Sequence, residues 1–357
     1  MNNKLDKFFV PILSVIFGLL IGALIIALIG YNPILGYQSM LNSSLGNSLS
    51  IGETLRTATP LILTALGFAV ANYVGLFNIG LSGQALAGWV GSIWFALVFD
   101  GLPKIILLPG SILAGILACA LIGIIPGILK VFFNTSEVIT TIMMNYILLF
   151  VSTHITHNIW PKSFMQGTDS TKIISNNASL RTEWLTNLTG GSRLNLGFLL
   201  ALIFIILIYV LIKYTTLGFE IKTIGLNPIA AKYSGISLKK TIVSAMAISG
   251  GLAGLAGATE GLGTFQNFFI QSQSLGIGFD GMAVALLGSG SPIGIFISAL
   301  LFAVLKNGAP GMNLAGIPPE IVNVIIAIII FFVGAKYLIK YFITVEPKKE
   351  VKGEENK

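Results

Sequence analysis

Charge is scarce in this sequence. Only 10% of its 357 residues are Asp, Glu, Lys or Arg, while 54% are hydrophobic. Soluble domains carry about 25% charged residues. The deficit excludes an ordinary soluble domain and points to a polytopic membrane protein. Cysteine is nearly absent as well. Cys119 stands alone inside an apolar run, which excludes a disulfide framework and a cysteine metal site. Histidine occurs twice, as His154 and His157, with no convergent carboxylates, so no metal site is expected. No Gly-Lys dipeptide occurs, hence no Walker A loop, and there is no His-Glu-x-x-His. No nucleophile–base pair is legible. The stretch Gly276-Ile277-Gly278-Phe279-Asp280 superficially resembles the Gly-x-Gly-Asp of intramembrane aspartyl proteases. It has one residue too many, and no second Asp lies within a span. No catalytic residue and no cofactor is therefore expected, and the chain reads as no enzyme.

The net charge of +7 does not point to nucleic acid. The basic residues sit at the ends of apolar runs, where membrane topology places them. A helix that crosses a membrane needs roughly 20 apolar residues. Ten candidate spans meet or approach this: 8–30, 58–76, 78–99, 105–129, 138–156, 196–213, 241–260, 275–290, 293–309 and 319–339. Three of them, 78–99, 275–290 and 293–309, are short or glycine-rich and read as broken or tilted. The run from Phe8 to Ile29 is longer than the ~7–15-residue core of a signal peptide and reads as a retained first span. With the N-terminus inside, fourteen basic residues fall on cytoplasmic segments and seven on outer ones. The expected fold is therefore all-α and polytopic, with about ten transmembrane helices and both termini cytoplasmic. A transmembrane domain covers 1–340, and a charged cytoplasmic tail covers 341–357. The polar segment 31–57 is expected outside, folding back as a short helix. A long extracellular loop covers 157–195, and 214–240 is cytoplasmic.

One element occurs twice. Ile79 to Ala87 and Ile277 to Ala285 agree at Ile, Gly, Gly, Ala and Ala. By the span count the two copies run antiparallel, as inverted repeats that place a solute path at their interface. The spacing of Gly83, Ala87 and Gly91, and of Gly281, Ala285 and Ser289, also suits close helix packing. Amides and carboxylates are costly in hydrocarbon. Asn78, Gln84, Asn145 and Asp280 are thus candidates to line the path, with interhelical hydrogen bonding as the other reading. Glu260, at the outer end of the seventh span, is expected to be solvated.

The cytoplasmic stretch carries a second pattern. Asn227 suits a helix N-cap and Pro228 the first helical position. Ala230 and Ala231 lie inside the short helix that follows, and Gly235 can end it in the left-handed conformation. This reads either as a loop helix or as a docking knob for a soluble partner.

Taken together, four stretches resemble the integral membrane permease of a bacterial ABC importer. They are Gly75 to Gln84, Ser136 to Tyr146, Gly225 to Gly235 and Gly278 to Gly288. The resemblance lies with the group that includes ribose and branched-chain amino acid permeases. Within it, the chain is most similar to nucleoside ("simple sugar") permeases that work with a basic membrane lipoprotein. Ser82 stands where an acidic residue is expected in many relatives. The resemblance implies location in the bacterial plasma membrane and nucleoside uptake by alternating access. It also implies three partners: a second permease subunit, a cytoplasmic ABC ATPase and an extracellular solute-binding lipoprotein. Asn227, Pro228, Ala230, Ala231 and Gly235 would then form the ATPase-coupling helix. The competing readings are a permease for ribose-like sugars or branched-chain amino acids, and an ion-coupled secondary transporter. The second needs embedded ionisable groups, of which Asp280 is the one fair candidate. A structural or signalling subunit is the reading furthest from transport.

Overall fold

The computed structural model describes residues 3–335. The predicted tail 341–357 lies outside them, as do residues 336–339 of the tenth span and Lys340. Fourteen α-helices occupy the described residues, with no named strand among them. In chain order they are α1 (Asn3–Leu28), α2 (Pro33–Leu45), α3 (Ser48–Tyr73), α4 (Leu81–Val98), α5 (Lys104–Phe133), α6 (Glu137–His154) and α7 (Glu183–Leu188). Then follow α8 (Gly197–Tyr214), α9 (Thr216–Leu226), α10 (Pro228–Tyr233), α11 (Leu238–Thr259), α12 (Ile277–Leu287), α13 (Pro292–Met312) and α14 (Glu320–Gly334).

Among the described residues, eight helices are long and apolar enough to cross a membrane, and α12 and α14 are shorter apolar helices. These ten coincide with the ten predicted spans. The chain is an all-α, polytopic membrane protein.

The centre of the fold is α3. Every residue from Ala58 to Ala71 is buried, so this helix is enclosed on all sides. It packs against α8, α11, α12 and α13. It also begins ten residues earlier than predicted. Asn47 caps it through Ser50 N (2.7 Å), so polar residues 48–57 join the helix instead of a loop. Asn32 caps α2 in the same way, with Pro33 at its first position.

Helix α11 packs by backbone approach. A Cβ on Gly254 would lie 2.5 Å from the Gly115 carbonyl oxygen of α5, and one on Gly88 of α4 2.4 Å from the Gly254 carbonyl oxygen. No side chain larger than hydrogen fits there without separating the helices.

The polar segments gather at two ends. At one, Tyr73 donates to the Gly290 carbonyl (3.0 Å), and Gly225 presses on the Tyr73 carbonyl. All three flank segments expected on the cytoplasmic side. At the other end the loop 157–195 is stitched to the end of α11. Thr171 N donates to Phe268 O and Ile174 N to Gln266 O (both 2.8 Å), and Leu180 N donates to Leu262 O (3.1 Å).

Candidate solute path and coupling helix

Between α3 and α4 the chain leaves helical geometry at Gly75–Gly80, and its backbone groups need other partners. Two amides supply them. Asn78 Oδ1 accepts from Gly80 N (3.1 Å), while its Nδ2 donates to Gln84 Oε1 (3.0 Å) and to Ser249 Oγ of α11 (2.8 Å). Asn145 of α6 accepts from Gly83 N (2.8 Å) and donates to Ile79 O (3.0 Å). Thr141, one turn earlier, accepts from Ile79 N (3.2 Å). Asn78, Gln84 and Asn145 are all buried. The structure therefore brings these three predicted residues into one interhelical network on the first turn of α4. Two buried atoms in that turn have no partner among the described residues: Ser82 Oγ and Gln84 Nε2.

The second copy of the element meets the first. Gly278 lies against Ser82, where a Cβ would fall 2.4 Å from Ser82 Oγ. Thr64 of α3 donates to Ile277 O (3.1 Å). The first turns of α4 and α12 therefore touch. The 11 residues of α12 rise about 16 Å, roughly half the ~30 Å hydrocarbon thickness. Asp280 shares no hydrogen bond with the α4 network. Its carboxylate accepts from Lys306 Nζ of α13 in an ion pair that is not sealed: Lys306 is 30% and Asp280 16% exposed.

Several features were not legible in the sequence. Lys306 is one of the seven basic residues expected on outer segments, yet it lies inside α13. Glu260 was expected to be solvated, but its side chain is only 12% exposed. The chain around it forms a π turn, Glu260–Phe265, and Arg56 lies 3.9 Å away. Glu53 joins this cluster, binding Arg56 Nε (2.7 Å) and Arg193 at both its backbone N–H (2.7 Å) and its guanidinium (3.1 Å). Nearby, Arg181 Nε donates to Gly263 O (2.8 Å). Burial pushes the Arg181 guanidinium below its ordinary pKa, and repulsion from Arg193 adds to this. A recess of about 940 Å³ opens beside it, lined in part by Lys104, Trp184, Asn187 and Gln266. Partners more than 130 residues apart leave no local signal.

At the other end α10 is built as its sequence suggests. Asn227 Oδ1 accepts from Ile229 N (3.0 Å) and Ala230 N (3.1 Å), and Pro228 occupies the first position. Gly235 follows at φ +81°. Ala231 is buried against the protein, whereas Leu226, Ile229 and Ala230 face out and Tyr233 is 90% exposed. Glu220 of α9 accepts from Thr241 (2.7 Å), tying the knob to the start of α11.

Residues 50–334 match the family model described as branched-chain amino acid transport system / permease component. The chain belongs to this permease family. It is 55% identical to the nucleoside ABC transporter permease protein NupB of Lactococcus lactis, over 95% of this chain and 94% of that protein. It is 43% identical to the guanosine ABC transporter permease protein NupP of Bacillus subtilis, over 96% and 97%. It is 30% identical to the glucose ABC transporter permease protein TsgB13 of Haloferax volcanii, over 90% and 86%. No solved structure matches the chain. This permease is thus a multi-pass membrane subunit of an ABC transporter and not itself an enzyme.

Proposed function

We propose that this permease takes up nucleosides across the bacterial plasma membrane by alternating access, with ATP hydrolysed on a separate subunit. What carries this reading is the rigid, capped α10 on a chain without a P-loop. A short helix already ordered costs little entropy to insert into a groove. Leu226, Ile229 and Tyr233 offer apolar contacts beyond the membrane spans, where an ATPase would dock. Force on α10 reaches α3 through Gly225 on Tyr73 and reaches α11 through Glu220 and Thr241. The solute side of the reading rests on the two relatives whose names specify nucleoside and guanosine.

The path is assigned to the level where α4 and α12 meet. Asn78, Gln84 and Asn145 brace that level from the buried side, and Asp280 flanks the path. A second permease subunit completes the path, and an extracellular lipoprotein delivers solute at the opposite end from α10. An ion-coupled carrier fits less well, because Asp280 is neutralised by Lys306. A sugar permease remains the second reading, favoured by the 30% identity to the glucose permease.

Deleting the gene should abolish uptake of labelled guanosine or adenosine at low concentration. Unchanged nucleoside uptake, with loss of ribose or amino acid uptake instead, rejects the nucleoside assignment. Replacing Ala230 with Glu should lower ATPase co-purification by about tenfold or more, the scale of truncating an interface anchor. Because Ala230 is exposed, membrane insertion should not change. Retained association rejects α10 as the docking helix.

A further inference from the structure

One face of α6 is unaccounted for by the fold. Asn145 and Thr141 turn towards α4. Another face presents Ile139, Met143, Tyr146 and Phe150, spaced four, three and four residues apart and all open. Tyr146 is the tenth residue of the 23-residue span Glu137–Ile159 and therefore sits near its middle. Its side chain is 54% exposed, and its hydroxyl has no hydrogen-bond partner among the described residues. A free hydroxyl facing hydrocarbon at that depth is costly, so this face meets water, solute or protein rather than lipid.

Phe279 on α12 is the counterpart. It is 48% exposed. Its depth follows from its neighbour: Gly278 rests on Ser82, while Asn145, adjacent to Tyr146, rests on Gly83. Ser82 and Gly83 are consecutive in the first turn of α4. Tyr146 and Phe279 therefore flank that turn at one level. The open ion pair Asp280–Lys306 begins one residue beyond Phe279. Two exposed aromatic rings, one with a spare hydroxyl, beside a partly wet ion pair describe the wall of a polar path rather than a lipid face.

We propose that Tyr146 and Phe279 are the contacts for the nucleobase as it passes the middle of the membrane. Their rings offer flat faces to a planar heterocycle, and the Tyr146 hydroxyl offers a hydrogen bond at its edge. Stacking suits a permease that must pass several bases, because every base has a π-face. The proposal rests on the nucleoside reading above.

The test uses the full complex with its receptor and ATPase in proteoliposomes. Tyr146→Leu and Phe279→Leu keep apolar volume and remove the ring. At saturating solute, each should lower guanosine transport per ATP hydrolysed about tenfold, the scale of a lost base–aromatic contact. Cytidine, with a smaller ring, should lose less. Tyr146→Phe should retain most guanosine transport, and Phe279→Tyr nearly all of it. Several outcomes overturn the assignment. Leucine variants that transport like the wild type would make this a lipid face. Equal losses for guanosine and cytidine would indicate a structural defect. Loss of the co-purifying second permease would make the face a subunit interface. If the wild-type complex itself moves no guanosine, the nucleoside reading fails first and the nucleobase contact with it.

Discussion

The two copies of the repeated element share a sequence pattern and differ in surroundings. In the first, Leu81 and Ser82 are fully buried and amides from three segments close the turn. In the second, the corresponding Phe279 and Asp280 reach an open surface, and a lysine from α13 supplies the partner. The glycines are used alike: Gly278 accepts the close approach of α4, and Gly281 that of α3 at Thr64. One motif thus sits in a sealed joint in one place and at a partly open surface in the other. What differs is polarity at two or three positions, not the backbone pattern.

The largest expected effect breaks the open copy. Asp280→Leu leaves Lys306 without a partner in a low-dielectric region. Removing one member of a buried pair costs about 3–5 kcal/mol, and the partial exposure of this pair places it at the lower end. A detergent-solubilised Asp280→Leu protein should melt well below the wild type. The double variant Asp280→Leu, Lys306→Met should recover most of that loss. If the single variant melts like the wild type, the ion pair contributes nothing and the contrast between the copies loses its main term.

The sealed copy should break next. Asn145→Leu removes two hydrogen bonds and strands Gly83 N–H and Ile79 C=O in the interior. An unsatisfied buried polar group costs about 1–3 kcal/mol. With two such groups stranded, the melting temperature should fall by about as much as for Asp280→Leu, and nucleoside transport should fall with it. A variant that melts normally but transports poorly would move Asn145 from the scaffold to the path itself.

How much of this was legible follows from range. The spans are local: each is a run of apolar residues, and all ten appear as helices. The cap at Asn227 and the stop at Gly235 are local too, and α10 forms where they place it. The start of α3 was missed because polar residues 48–57 break its apolar run, although Asn47 carried the capping signal. The site was legible only as a set of residue types. Asn78 and Gln84 were visible as oddities in an apolar chain. That they bond to each other, with Asn145 and Ser249 completing the joint, depends on contacts of up to 171 residues in separation. The burial of Glu260 depends likewise on Arg56. The exposure of Tyr146 has no signature at all, because an aromatic residue at helical spacing looks the same facing a core, lipid or a path.

The smallest effect sharpens the comparison most. Ser82 is buried with no partner for its hydroxyl among the described residues, and Gly278 is packed against it. A buried, unbonded hydroxyl is a cost in the folded state. Ser82→Ala should therefore leave the protein as stable as the wild type or stabilise it by about 1 kcal/mol. Lys306 and Asp280 should be unaffected, since neither bonds to Ser82. Transport separates the two roles for this turn. If the hydroxyl only fills space, Ser82→Ala transports at the wild-type rate, and the sealed copy is scaffold throughout. If α4 and α12 part during transport, Ser82 Oγ becomes a free donor and acceptor at the level of Tyr146 and Phe279. Ser82→Ala would then be stabler yet slower, because the atom left unsatisfied at rest is the one a passing solute would use.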